Sequence, residues 1–398
     1  MEYKLFGDGI HDDTAAIQEM LDGCCEVRLP VPEVCYIISR PLVLKSNRKL
    51  VLPRYAEIKL ADGSNCVMLK NETEDGYAER ITSKLFSFVN YYSPDHPCMN
   101  IEVEGGIWNL NNLGQEGNPM WTGSGPDGYT GVGMLIVNAK NFRLHDMTLK
   151  DPVNFAVTLD YASWFTVENI TFDFKYGNPT AVNMDGIHLD GNCHYGTIRN
   201  LKGTCYDDLV ALNADEGTDG PITNIEINGI YSTDCHSAVR LLTNKNAVEN
   251  IHISNVFGTY YQYCIGLTNS GIEGCKGYYD AITLDNIYAS KAERYDVYCK
   301  TGQAHYSLLY IQEYADVKNL KISTVHRREY NNPIFTLALI GGSKVDSMIL
   351  ENITVENHTD GKMIFMSNEG NIKNLKMRDI KTGGEALMCG SGTVGMII

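Results

Sequence analysis

A short pattern recurs from Ile101 to the C-terminus: an apolar residue, a free position, another apolar residue, a free position, then Asn, Asp, Gly or Thr, and a closing apolar residue, the last four of which identify each copy. Its copies read Leu144-His145-Asp146-Met147, Val167-Glu168-Asn169-Ile170, Ile198-Arg199-Asn200-Leu201, Ile227-Asn228-Gly229-Ile230, Ile253-Ser254-Asn255-Val256, Leu284-Asp285-Asn286-Ile287, Ile322-Ser323-Thr324-Val325, Leu350-Glu351-Asn352-Ile353 and Met377-Arg378-Asp379-Ile380. Between the residues that precede the closing apolar position, the steps are 23, 31, 29, 26, 31, 38, 28 and 27 residues. Each copy alternates with period 2 and is too short for a helix, so it reads as a strand followed by a turn residue.

Irregular steps between regular strands mean that the loops vary while the strands stay in register. A right-handed parallel β-helix meets this condition, because each coil stacks on the last and buries a continuous apolar interior. A β-propeller needs blades of about 40–45 residues and a leucine-rich horseshoe needs regular leucines, and neither fits. The expectation is an all-β, single-stranded right-handed solenoid that forms one domain over residues 1–398, with turn asparagines laddered between coils. Residues 1–30 form its N-terminal cap region, in which Asp12–Leu21 reads as a short amphipathic helix with an Asp N-cap, covering the first coil. Long loops near 70–100, 109–133 and 288–316 break the repeat and are expected to line a binding face.

Charge and composition narrow the class. With 33 Lys and Arg against 49 Asp and Glu, the net charge is −16, which opposes electrostatic binding of nucleic acid. No apolar run approaches the roughly 18 residues of a membrane helix, and the first residues lack the basic and apolar regions of a signal peptide. The chain as it stands is expected to be cytoplasmic, or secreted where a signal has been removed. The 12 cysteines never form a CxxC, so neither a zinc site nor a disulfide framework is indicated.

Three successive coils carry acidic or imidazole groups just before a strand: Asn183-Met184-Asp185, Asp207-Asp208 and Cys235-His236-Ser237. Strands lie about 4.8 Å apart, so these groups are expected to form one patch. Clustered carboxylates raise at least one pKa, which suits the acid and base of glycoside hydrolysis. Aligning Ile187/Leu189, Val210/Leu212, Val239/Leu241 and Ile265/Leu267 as inward residues sends His188, Ala211, Arg240 and Gly266 outward. Asp207 and Asp208 can both face solvent only from a turn, and the turn is expected. His188, Arg240 and Asn183 are candidates to bind substrate, and Trp108, Trp121, Tyr129 and Tyr261 could stack on sugar rings or pack the loops. Clustered carboxylates could also hold Ca²⁺, but no EF-hand-like ligand spacing supports that reading, so neither metal nor cofactor is expected.

These residues resemble the pectin-lyase-like β-helix superfamily and, within it, polygalacturonase-like enzymes of glycoside hydrolase family 28. Phe6-Gly7-Asp8-Gly9-Ile10-His11-Asp12-Asp13-Thr14-Ala15-Ala16-Ile17-Gln18 is similar to the N-terminal segment common in that fold. Asn183-Met184-Asp185 looks like the family's Asn-Thr-Asp, Asp207-Asp208 like its Asp pair, and Cys235-His236-Ser237 like its Gly-His-Gly. The resemblance implies Asp207 as general acid, Asp185 and Asp208 on the water of an inverting hydrolysis, and His236 as a support for the geometry. The family's Arg-Ile-Lys falls on Ile265-Gly266-Leu267, without its two basic residues, so a sugar other than galacturonate is plausible, with Arg240 one coil earlier as the basic group at hand. The expected partner is an oligo- or polysaccharide. A polysaccharide lyase or other carbohydrate-transforming enzyme is the second reading. The third is a saccharide-binding protein of the tailspike or adhesin type, many of which are trimers.

Overall fold

Alternating side chains build parallel strands whose apolar positions meet one coil apart. The computed structural model describes residues 4–73, 96–122, 129–271, 275–293 and 306–397, except for the side chains of Met120 and Trp121. Parts of the three long loops expected near 70–100, 109–133 and 288–316 lie outside the described residues. Leu144 pairs with Val167 and Val167 with Ile198. Further along, Ile227 pairs with Ile253, then Leu284, Ile322 and Leu350 follow in the same column. All eight of these side chains are 2% exposed or less.

The turn residue of the pattern decides the path. In all nine copies it occupies the left-handed region, with φ between 52° and 86°. There the backbone bends a long strand from one face of the coil to the next. Asn, Asp and Gly tolerate this region at little cost, and eight of the nine positions carry one of them; Thr324 is the β-branched departure. Stacking then aligns the side chains of successive turns. Asn169 Nδ2 donates to Asp146 Oδ1 at 3.0 Å and Asn200 Nδ2 to Asn169 Oδ1 at 3.1 Å. Asn255 Nδ2 donates to Asn228 Oδ1 at 2.9 Å and accepts from Asn286. The ladder steps back one position in that coil because Gly229 has no side chain to join it.

The chain divides into two compact units, residues 1–206 with 216–219 and residues 207–215 with 220–398. Both follow the right-handed parallel β-helix construction, a bent long strand alternating with a short one. In the first unit the short strands include Met134–Val137, Val157–Asp160 and Ile187–Leu189. In the second they begin with Asp208–Asn213, Ser237–Leu242, Ile265–Thr268 and Leu309–Ile311. Their inward residues are as the alternation requires: Ile187, Leu189, Val210, Leu212, Val239, Leu241, Ile265 and Leu267 are all buried.

The N-terminal helix runs Thr14–Gly23, starting two residues later than Asp12. Asp13 occupies the N-cap position without capping, because its carboxylate turns inward to accept Phe6 N–H at 2.6 Å and Gly7 N–H at 3.2 Å. Asp12 accepts Thr14 N–H at 2.8 Å instead. Ile17 and Leu21 face the first coil, and the Gln18 amide pairs with both the N–H (2.8 Å) and the C=O (3.1 Å) of Val43. A side chain here takes the hydrogen bonds that another strand would make, which closes an otherwise open edge.

Substitution of Asn255 separates the two functions of the turn residue. Asn255→Gly removes ladder bonds but keeps the left-handed bend free of strain, whereas Asn255→Ala loses both. Urea unfolding is expected to find the Ala variant less stable than the Gly variant by about 1 kcal/mol.

Candidate functional site

Asp185 lies in the turn that enters strand Ile187–Leu189, where its C=O accepts Ala156 N–H at 2.9 Å. Its carboxylate meets His188 Nδ1 at 2.6 Å. The other imidazole nitrogen, Nε2, lies 3.1 Å from Glu216 Oε2 and 3.2 Å from Asp190 Oδ1. Phe155 stacks on the ring, 4.0 Å between centroids at 8°. His188 is 1% exposed. Burial alone would lower its pKa, but the carboxylates of Asp185, Asp190 and Glu216 override burial and hold it well above the ordinary value of 6.5. Burial raises the Asp190 carboxyl, and His188 offsets part of that rise. The cluster is a buried imidazole enclosed by three acids that favour its protonated form.

The approach of Glu216 depends on Gly217, whose φ is +56° and where an added Cβ would fall 2.6 Å from the Asp190 carboxyl. Thr218 anchors the same segment through its N–H and hydroxyl to the buried Asp160, at 2.9 and 3.0 Å. The sequence reading missed Asp190 and Glu216. Asp190 had a signal, two residues from His188; Glu216 had none, since it arrives from a turn on a later coil. Asn183 sits two residues before Asp185 in the left-handed region, φ 56°.

The second unit holds Asp207, Asp208 and His236. Asp207 is in the bend before the strand and Asp208 is the first residue of strand Asp208–Asn213, so the expected turn holds one of the two. Both are buried, Asp207 at 8% and Asp208 at 1% exposure, which corrects the expectation that both face solvent. His236, at the corner between Ile222–Cys235 and Ser237–Leu242, brings Nδ1 to 3.2 Å from Asp207 Oδ1. Asp208 pairs in register with Ser237, accepts its hydroxyl, and lies 3.7 Å from Arg240 Nη1. Arg240 also donates from Nε to Thr268 Oγ1 at 2.9 Å. Ser237 and Arg240 thus hold Asp208, while His236 faces Asp207.

The aromatic candidates divide. Trp108 is fully buried in the first unit with its indole N–H on Gly105 O at 3.1 Å, so it offers no face to a sugar. Tyr129 is 7% exposed and donates to Glu116 O at 2.8 Å, packing its loop. Tyr261 is fully buried with its ring edge-on to His236, 5.1 Å between centroids, and therefore supports the imidazole. Trp121 belongs to the short helix Pro119–Thr122, its side chain outside the described residues.

Three groups among the described residues bring possible metal ligands within 4.8 Å of one another: Glu102, Glu104 and His145; His188, Asp190 and Glu216; and Asp207, Asp208 and His236. Lys49 Nζ already occupies the first, 2.9 and 2.7 Å from its two glutamates. In the second, a metal ion would have to replace the proton of His188 Nε2.

Stacked parallel coils with carboxylate and imidazole groups at the entrances to their short strands define a class of β-helix proteins. The chain belongs to glycosyl hydrolases family 28, whose sequence profile it matches over residues 100–302, just over half its length. No curated protein matches it by sequence. Among solved structures it is similar to the family 28 exopolygalacturonase of Yersinia enterocolitica, with a TM-score of 0.59, 13% identity and coverage of 98% of this chain and 77% of that one. The A-module of a mannuronan C-5 epimerase from Azotobacter vinelandii gives a TM-score of 0.58 at 13% identity, covering 99% and 97% of the two chains. A surface adhesin of Streptococcus pneumoniae gives 0.55 at 14% identity, covering 99% and 90%. An enzyme that hydrolyses, one that epimerises and an adhesin share the fold, so the fold alone leaves the activity open.

Because the folded-state pKa of His188 is raised, the stability it contributes is full below pH 6.5 and is lost as pH climbs through the higher folded value. His188→Gln is therefore expected to destabilise most at pH 6 and progressively less under alkaline conditions, as read by urea midpoints across pH.

Proposed function

We propose that the protein hydrolyses glycosidic bonds in an oligo- or polysaccharide by carboxylate acid/base catalysis with inversion. The observation that carries this reading is the unequal environment of two adjacent acids. Asp208 is bonded by Ser237 and faces Arg240, both of which favour its carboxylate form, whereas Asp207 has His236 at 3.2 Å and is the more exposed of the pair. Neighbouring carboxyls resist ionising together, and the contacts that favour the carboxylate form of Asp208 leave the acid's role to Asp207, the member of the pair nearer solvent.

Asp207 then acts as the acid, passing its proton to the departing glycosidic oxygen as the C–O bond breaks. Asp208, ionised, is suited to take a proton from water, and His236 holds the orientation of Asp207. In the first unit, His188 fixes the carboxylate of Asp185. Family membership supports this reaction class.

Asp207→Asn keeps the shape of the side chain and removes the acid. It is expected to lower kcat by about 10²–10⁴-fold in a reducing-end assay with an unchanged melting temperature. Product that absorbs in the ultraviolet would instead indicate elimination, and saccharide binding without cleavage would indicate a binding protein.

A further inference from the structure

The surface beside Asp208 and Arg240 is built from tyrosines. Gly266 pairs in register with Arg240 on one side and Tyr310 on the other. The space above it is filled by the ring of Tyr263, since an added Cβ at Gly266 would fall 2.7 Å from two of that ring's atoms. Ile265 and Leu267 point inward, so the outward position of this strand carries an aromatic face in place of any side chain of its own. Tyr263 lies parallel to Tyr310, 5.9 Å between centroids at 2°, and Tyr306 meets both edge-on at 5.8 and 5.0 Å. Tyr263 is buried, whereas Tyr306 and Tyr310 are half-exposed.

This wall is fixed from behind. Lys291, fully buried, donates from Nζ to the carbonyls of Tyr261 (3.3 Å), Gln262 and Tyr306 (3.1 Å), joining the segment before Tyr263 to the one that carries Tyr306. Its backbone N–H donates to Glu329, which the buried Arg327 holds at 2.7 Å. The ammonium is thus spent on carbonyls, and Arg240 is spent on Asp208 and Thr268.

We infer that the subsite beside Asp207 and Asp208 takes an uncharged pyranose, and that Tyr306 and Tyr310 set this preference. The inference rests on the hydrolase reading above. Tyrosine rings complement the C–H face of a sugar. A carboxylate substituent placed there would meet Asp207 and Asp208, and neither of the described cations nearby, Arg240 and Lys291, both already engaged, would compensate its desolvation.

The test uses the full chain and a panel of pectic and related oligosaccharides, each supplied as the uronic acid and as its carboxyl-reduced counterpart. Reducing ends are measured together with KM and kcat. The reduced member is expected to be cleaved with at least a tenfold higher kcat/KM, and Tyr310→Ala to raise its KM severalfold with little change in kcat, Tyr310→Phe restoring it. Preference for the uronic acid would overturn the inference and leave the hydrolase reading standing. Failure to cleave any member would overturn the hydrolase reading and this inference with it.

Discussion

Everything in this molecule hangs on the vertical match between one coil and the next. A parallel strand has no tight hairpin to set its register, so the register must come from the side chains. Here two devices act together. Apolar residues pair with apolar residues one coil away, as in the column from Ile227 to Leu350, and left-handed turn residues align their amides into ladders. A slip of one residue would turn the buried column outward and break the ladder at the same time. The strands can therefore carry loops of very different length without losing their stacking.

That rigidity is what allows charged groups to be buried near the strand entrances. Isolated, a buried carboxylate would be neutralised or would unfold its surroundings. In the first unit three acids enclose one imidazole and favour its protonated form. In the second, Asp208 is held by a hydroxyl and faces a guanidinium, and the Arg327–Glu329 pair fixes the turns behind the tyrosine wall. Each arrangement couples a side chain on a strand to one on a turn. The strands fix the placement, and the turns supply the chemical variety that lets one fold serve several functions.

Period and turn chemistry made the fold legible from the sequence. Each of the nine positions read as turns adopts the left-handed conformation, and eight of them carry the Asn, Asp or Gly that tolerate it. Inward and outward faces of the short strands followed from alternation alone. What alternation could not supply was the depth of each group. His188 and Ala211 are outward by parity yet fully buried, and Trp108, a stacking candidate by its loop position, lies in the interior. Nor could it supply Glu216 or Lys291, whose roles depend on turns converging from distant parts of the chain. The N-cap position is held by an Asp, Asp13, as expected, but without a cap bond: its carboxylate is drawn inward by the Phe6 and Gly7 amides, a contact that local helix rules do not contain.

The central claim is that an acid pair cleaves a glycosidic bond with water and with inversion. Time-resolved NMR of the first turnovers reads this directly, because the anomeric proton of each new reducing end reports its configuration before mutarotation. The account predicts one new reducing end per bond broken, formed first in the inverted configuration, with no olefinic signal. Retention of configuration, or an olefinic proton appearing with product, would contradict it.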